Sequence, residues 1–311
     1  MGVKGTMKGM RSMCWPLISI LLVCSCSSKP AQPSIYIDPA FIPLMPADTT
    51  AAIGFRVETL KKTPAWGRIL SSQAARLEEF RNETSFDLQQ DLRELVVVWN
   101  GTEALVMARG KFSPMGLEPK LDRKGAQRLH HKGYPILGDE ETAVLFVNTT
   151  TAVAGRTATL RGIIDARDGS KGSVSPALLD RARSIGHQNQ VWAVMLAPNL
   201  PADMIGGNLG ANLTRLTNGV EVAWMGADFS SGIHAVTTVL CRGDQQAGQL
   251  NDALRGIVGI ARFAAGSGQP DLLRIYDSIG IARNERVVKI DLNVPLDLVE
   301  KTLGLITSLR G

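Results

Sequence analysis

The order of strand-like and helix-like segments predicts an α+β protein of two tandem β-α-β-β-α-β units. This is the ferredoxin-like plait, with mainly antiparallel sheets. Three observations carry the prediction. The order strand, helix, hairpin, helix, strand is read twice along the chain. Asn100-Gly101 lies between the apolar runs Leu95–Trp99 and Thr102–Arg109, the strongest short hairpin signal. Finally, Val106-Met107-Ala108-Arg109-Gly110 and Val239-Leu240-Cys241-Arg242-Gly243 both close a hairpin ahead of a helix-like stretch.

In the first unit, residues 48–168, Thr50–Val57 alternates and puts Ala51, Ile53, Phe55 and Val57 on one strand face. Thr63-Pro64 opens a helix, with Trp66, Ile69, Leu70, Leu77 and Phe80 at helical spacing to about Asn82. A short helix is expected near 115–124, strands at 127–137, 142–148 and 151–155, and a helix at 156–166. The small, polar stretch Asp168–Ser175 marks the boundary.

The second unit, residues 169–311, starts with a strand at 190–197 and a glycine-rich helix across 201–217. Strands at 219–227 and 232–241 precede a helix at 244–264, with Asp244 as N-cap and Ala247, Leu250, Leu254, Ile257, Val258 and Ala261 on one face. A short helix at 271–279, a strand at 286–294 and a last helix from Pro295 complete the unit.

The 311 residues are 44% hydrophobic and 20% charged, which excludes disorder and a polytopic membrane protein. Lys4, Lys8 and Arg11 precede an apolar run of 11 residues at 13–23, too short to span a bilayer and patterned as an export signal. Val23-Cys24-Ser25-Cys26 follows, with an aliphatic residue three before Cys26 and a small one directly before it. This resembles the lipobox of bacterial lipoproteins. The resemblance implies cleavage after Ser25, acylation of Cys26, and anchoring of residues 26–311 to the cell envelope. Ser27 after the cysteine implies the outer membrane, with the body facing the periplasm.

Residues 26–47 then form a Pro-rich tether that could reach roughly 60 Å from the membrane. Ile35, Tyr36, Ile37, Phe41, Ile42 and Leu44 are apolar, so part of it is expected to lie on the body. Removing residues 1–25 takes three bases and no acid, so the formal charge falls from +5 to +2. The basic balance therefore reports export rather than an anionic partner. Export also removes nucleic acid as a partner. Of the four cysteines, only Cys26 and Cys241 would remain, and Cys241 reads as a buried thiol at a strand end. The body resembles uncharacterised exported bacterial proteins, a resemblance that implies no activity.

The chain has no phosphate-binding loop, no dinucleotide spacing, no nucleophile elbow and no metal-ligand pair, so no cofactor or metal is expected. Arg128, His130 and Lys132 share one face of a predicted strand and form a candidate anion-binding stripe. The expected function is a lipid-anchored, non-enzymatic binding or scaffold protein, with the bilayer and an envelope protein as partners. The alternatives are an envelope hydrolase with dispersed catalytic residues and a carrier of an apolar ligand held between sheet and helices. A large apolar cavity would favour the carrier.

Overall fold

The computed structural model describes residues 37–67, 73–112, 125–167, 174–197, 217–265, 268–299 and 301. Residues 33–311 form one compact unit; residues 1–32, with the expected signal, Ser25 and Cys26, lie outside the described residues.

All the described strands join one twelve-stranded sheet in the order β11-β12-β10-β9-β8-β1-β2-β3-β7-β6-β5-β4. The strands of the first half are β1 (Ala51–Phe55), β2 (Glu94–Trp99), β3 (Ala104–Arg109), β4 (Gln127–His131), β5 (Tyr134–Gly138), β6 (Thr142–Asn148) and β7 (Thr151–Arg156). Those of the second are β8 (Val191–Leu196), β9 (Val220–Asp228), β10 (Gly232–Cys241), β11 (Ile279–Asn284) and β12 (Val287–Pro295). The described helices are α1 (Val57–Leu60), α2 (Ala74–Thr84), α3 (Thr157–Arg167), α4 (Pro176–Arg183), α5 (Asp244–Ala265) and α6 (Pro270–Asp277).

This corrects the expectation of two plait units. A plait needs crossovers that set strands parallel, whereas every pairing here is antiparallel. The two halves meet at β1, which pairs with β2 on one side and β8 on the other. The strand's composition explains this. Ala51-Ala52-Ile53-Gly54-Phe55 has no charge to blunt an edge, and Ala52 is fully buried. As the outer strand of a separate unit, it would leave a row of backbone groups unpaired.

The Asn100-Gly101 hairpin forms, but as a four-residue loop rather than a two-residue one. Gly101 takes φ 104°, and the Asn100 side-chain oxygen accepts the N–H groups of Thr102 and Glu103. The strand expected at 127–137 is a hairpin, broken where Lys132 and Gly133 both take positive φ. Three of these elements are not expected from the sequence, α1, α4 and β11. Parts of the helices expected near 63–82 and from Pro295 are described. The helix at 115–124, nearly all of that at 201–217, and most of the boundary at 168–175 lie outside the described residues.

The sheet buries its two faces differently. On one face, Val96, Val98, Leu105, Met107, Ile136 and Leu145 pack against Leu160 and Ile164 of α3 and Leu178 of α4. The strap 37–45 joins this core through Ile37, Phe41, Leu44 and Met45, so the C-terminal part of the expected tether belongs to the body. On the other face, α5 packs Ala247 and Leu250 over Val239 and Val288 at one end. At the other end, Phe86 and Leu92 pack over Leu95 and Ala108.

Candidate functional site

An apolar cavity of about 290 Å³ lies beneath α2 and the 86–92 segment, on the face opposite the main core. Strand register builds its floor. Leu95 stands opposite Ala108, Ala108 opposite Ala152, and Ala152 opposite Phe146. Two residues along, Val106 stands opposite Ala154, Ala154 opposite Val144, and Val144 opposite Leu137. Alanine at 108, 152 and 154 leaves empty the volume that a branched strand residue would fill. One wall is aromatic: Phe86 stacks on Phe112 with centroids 4.8 Å apart, and Phe112 meets Phe146 edge-on at 6.0 Å.

The roof is held from outside. Asp87 accepts the backbone N–H groups of Gln89 and Gln90, and its own N–H donates to Asp91. The Lys61 ammonium donates to the Leu92 carbonyl at 2.6 Å. Burial pulls the Lys61 pKa down, opposed by the charges of Asp91, Asp87 and Glu58. These polar groups turn Phe86, Leu88 and Leu92 inward. By contrast, α2 is held lightly, since none of its residues is buried and Phe80 and Thr84 are its contributions to the lining. Among the described residues Thr84 is the one polar side chain of the lining, and its hydroxyl already donates to the Phe80 carbonyl and accepts from the Phe86 N–H.

A charged cluster lies across the sheet from the cavity, where the strap joins the body. Arg109 binds Asp38 at 2.9 Å and donates to Thr150 and Thr151. Glu94 stands opposite Arg109 in register, and Arg56 donates to the His187 carbonyl. Desolvation, reinforced by Asp38, pushes the Glu94 pKa up to about 7, against the pull of Arg56 and Arg109.

The candidate anion stripe is divided. Arg128 and His130 lie on β4, opposite Leu137 and Pro135. Lys132 falls in the turn beyond, and its ammonium binds Asp165 at 2.9 Å. His131, which the alternation set on the opposite side, reaches the same Asp165 oxygen at 2.9 Å. Hydrogen bonds from Lys132 and then His131 hold the Asp165 carboxyl below its usual range. Cys241 is buried, and desolvation pushes its thiol pKa up. Among the described residues, no group of three or more His, Cys, Asp or Glu side chains could hold a metal ion. No described helix is long and apolar enough to cross a membrane.

The cavity was missed in the sequence because its alanines read as unremarkable strand residues. Only the pairing of β3 with β7 brings Ala108 and Ala152 together.

No protein-family model matches the chain, and no curated protein matches it. Among solved structures it is similar to TP0453. Crystal form III of that protein aligns with a TM-score of 0.51 at 9% identity, covering 88% of this chain and 99% of that one. Crystal form I aligns at 0.49 and 10% identity, covering 89% and 99%. At such identity the likeness speaks to the fold alone.

Proposed function

We propose that this chain is a lipid-anchored protein of the cell envelope that binds an apolar ligand in the cavity under α2. The cavity carries the reading. Cores normally close to crystal-like density, and an apolar void of this size forfeits packing contacts that a ligand would restore. Its volume lies at the lower edge of the range usual for small-molecule sites, about 300–1,000 Å³. Among the described residues its lining holds an apolar group and offers no charge. The anchor rests on the lipobox resemblance at Cys26, with the strap 37–45 joining the membrane-proximal segment to the body.

Binding is tested with an apolar dye that fluoresces out of water, such as N-phenyl-1-naphthylamine. The full chain should raise its fluorescence saturably, and Phe112→Asp, which puts a charge into the lining, should remove the rise while the protein stays folded by circular dichroism. No enhancement with the unaltered chain would reject the reading. Independently, Cys26→Ser should abolish globomycin-sensitive processing and membrane fractionation; normal processing of that variant would reject the anchor.

A further inference from the structure

The cavity has a shape as well as a polarity. Resting on the apolar-ligand reading, we infer that it takes a single unbranched hydrocarbon chain, laid across the strands, with the polar end outside. The register sets the dimensions. The floor consists of two staggered rows of four side chains, one from Leu95 on β2 to Phe146 on β6 and one from Val106 on β3 to Leu137 on β5. Neighbouring strands lie about 4.8 Å apart, so each row is roughly 14 Å long, while two residues along a strand set the rows about 7 Å apart. This is a trough at right angles to the strands. The volume of 290 Å³ holds about ten water-sized groups at about 30 Å³ each. Ten such groups in file suit an alkyl chain, whereas a fused ring system needs width the two rows do not provide.

The lining excludes a polar head. Among the described residues Thr84 is its one polar side chain, and the proton of its hydroxyl already goes to the Phe80 carbonyl. A carboxylate, amine or hydroxyl drawn inside would lose its water and gain no partner. Affinity is therefore set by chain length and is indifferent to the head. The room for the chain comes from Ala108, Ala152 and Ala154, which makes those positions the determinants of capacity.

The test is calorimetric titration of the full chain carrying Cys26→Ser, handled without detergent. The probes are fatty acids of increasing length, the alcohol and amine of one length, and deoxycholate as a rigid ring system. Affinity should rise roughly fourfold per methylene until the trough is full. The three heads should agree within about threefold, deoxycholate should not bind, and Ala154→Phe should weaken chain binding at least tenfold. Should Ala154→Phe fail to fold, Ala108→Leu fills the neighbouring row with a smaller side chain and should show the same loss. If deoxycholate binds as well as the chains, or one head is preferred more than tenfold, the linear-chain inference falls and the apolar-ligand reading stands. If no probe of either shape binds, both fall.

Discussion

The indole of Trp192 on β8 lies directly over Gly54 on β1, and a β-carbon at position 54 would overlap the indole at its nitrogen and the adjoining ring carbons. Trp192 is fully buried, and its indole nitrogen has no hydrogen-bond partner among the described residues. The largest side chain of the core thus sits at the junction of the two halves of the sheet, in space that only glycine leaves. Gly54→Ala should lower stability by about 1–3 kcal/mol through overpacking. Trp192→Phe at the same site should cost less than Trp192→Ala, which opens a cavity at about 3–5 kcal/mol. Urea unfolding of the three variants checks the order; a neutral Gly54→Ala would show that the indole has room to move.

Glu94 makes stability depend on pH. Its folded pKa, about 7, lies above the ordinary value of 4.5, so the unfolded chain gives up this proton first. Stability should therefore fall as pH rises from about 4.5 to 7, and then level off. Glu94→Gln should unfold at higher urea than the parent at pH 8, by on the order of 3 kcal/mol at most, and match it near pH 4. Parallel pH profiles for the two proteins would count against the buried-carboxyl assignment.

Asp38 and Arg109 fasten the strap to the sheet at 2.9 Å, with both side chains partly exposed. Partial screening limits the pair to about 1 kcal/mol. Asp38→Asn should leave global stability nearly unchanged and speed amide exchange at residues 38–40, where the Ala40 N–H also donates to the Asp38 carboxylate. Phe41 and Leu44 are buried and should keep the rest of the strap protected. Fast exchange across the whole strap would mean that the ion pair, not the apolar packing, holds it.

The outer face of α5 changes character along its length. Gln245, Gln249 and Asp252 are exposed in its first half, and Ile257, Ile260 and Phe263 in its second. Phe263 is 90% exposed and Ile260 72%, so neither supports the fold. Replacing both with Ser should change stability by less than about 0.5 kcal/mol. Leu250→Ala, at a buried position on the opposite side of the same helix, should cost about 2–5 kcal/mol. Thermal melts of the two variants distinguish these outcomes.

Local patterns were legible in the sequence, and pairings were not. The helix expected at 244–264 is found at 244–265, and the strand expected at 190–197 is found at 191–196, because apolar periodicity is a property of a short window. Strand β11 was hidden because its hairpin to β12 turns at Glu285, which takes φ 48° without the Asn-Gly pair that announces such a turn. Helix α4 was passed over because it spans eight residues directly after a polar stretch that ends in Ser175. The union of the halves depends on β1 choosing β8, a partner about 140 residues away, and no local window contains that choice. The cavity was invisible for the same reason, since its floor belongs to strands that meet only in the sheet.

The position of β1 also sets an order of events for the chain as it is made. Its first partner, β2, arrives some forty residues later, but its second arrives only with Val191–Leu196. Until then one side of β1 is an uncharged, open template for the wrong strand. Pairings so distant in sequence are slow to form. A chain cut after the first half would not be a smaller version of this protein. It would be left with its innermost strand as an edge, which makes the second half the guardian of the first against aggregation.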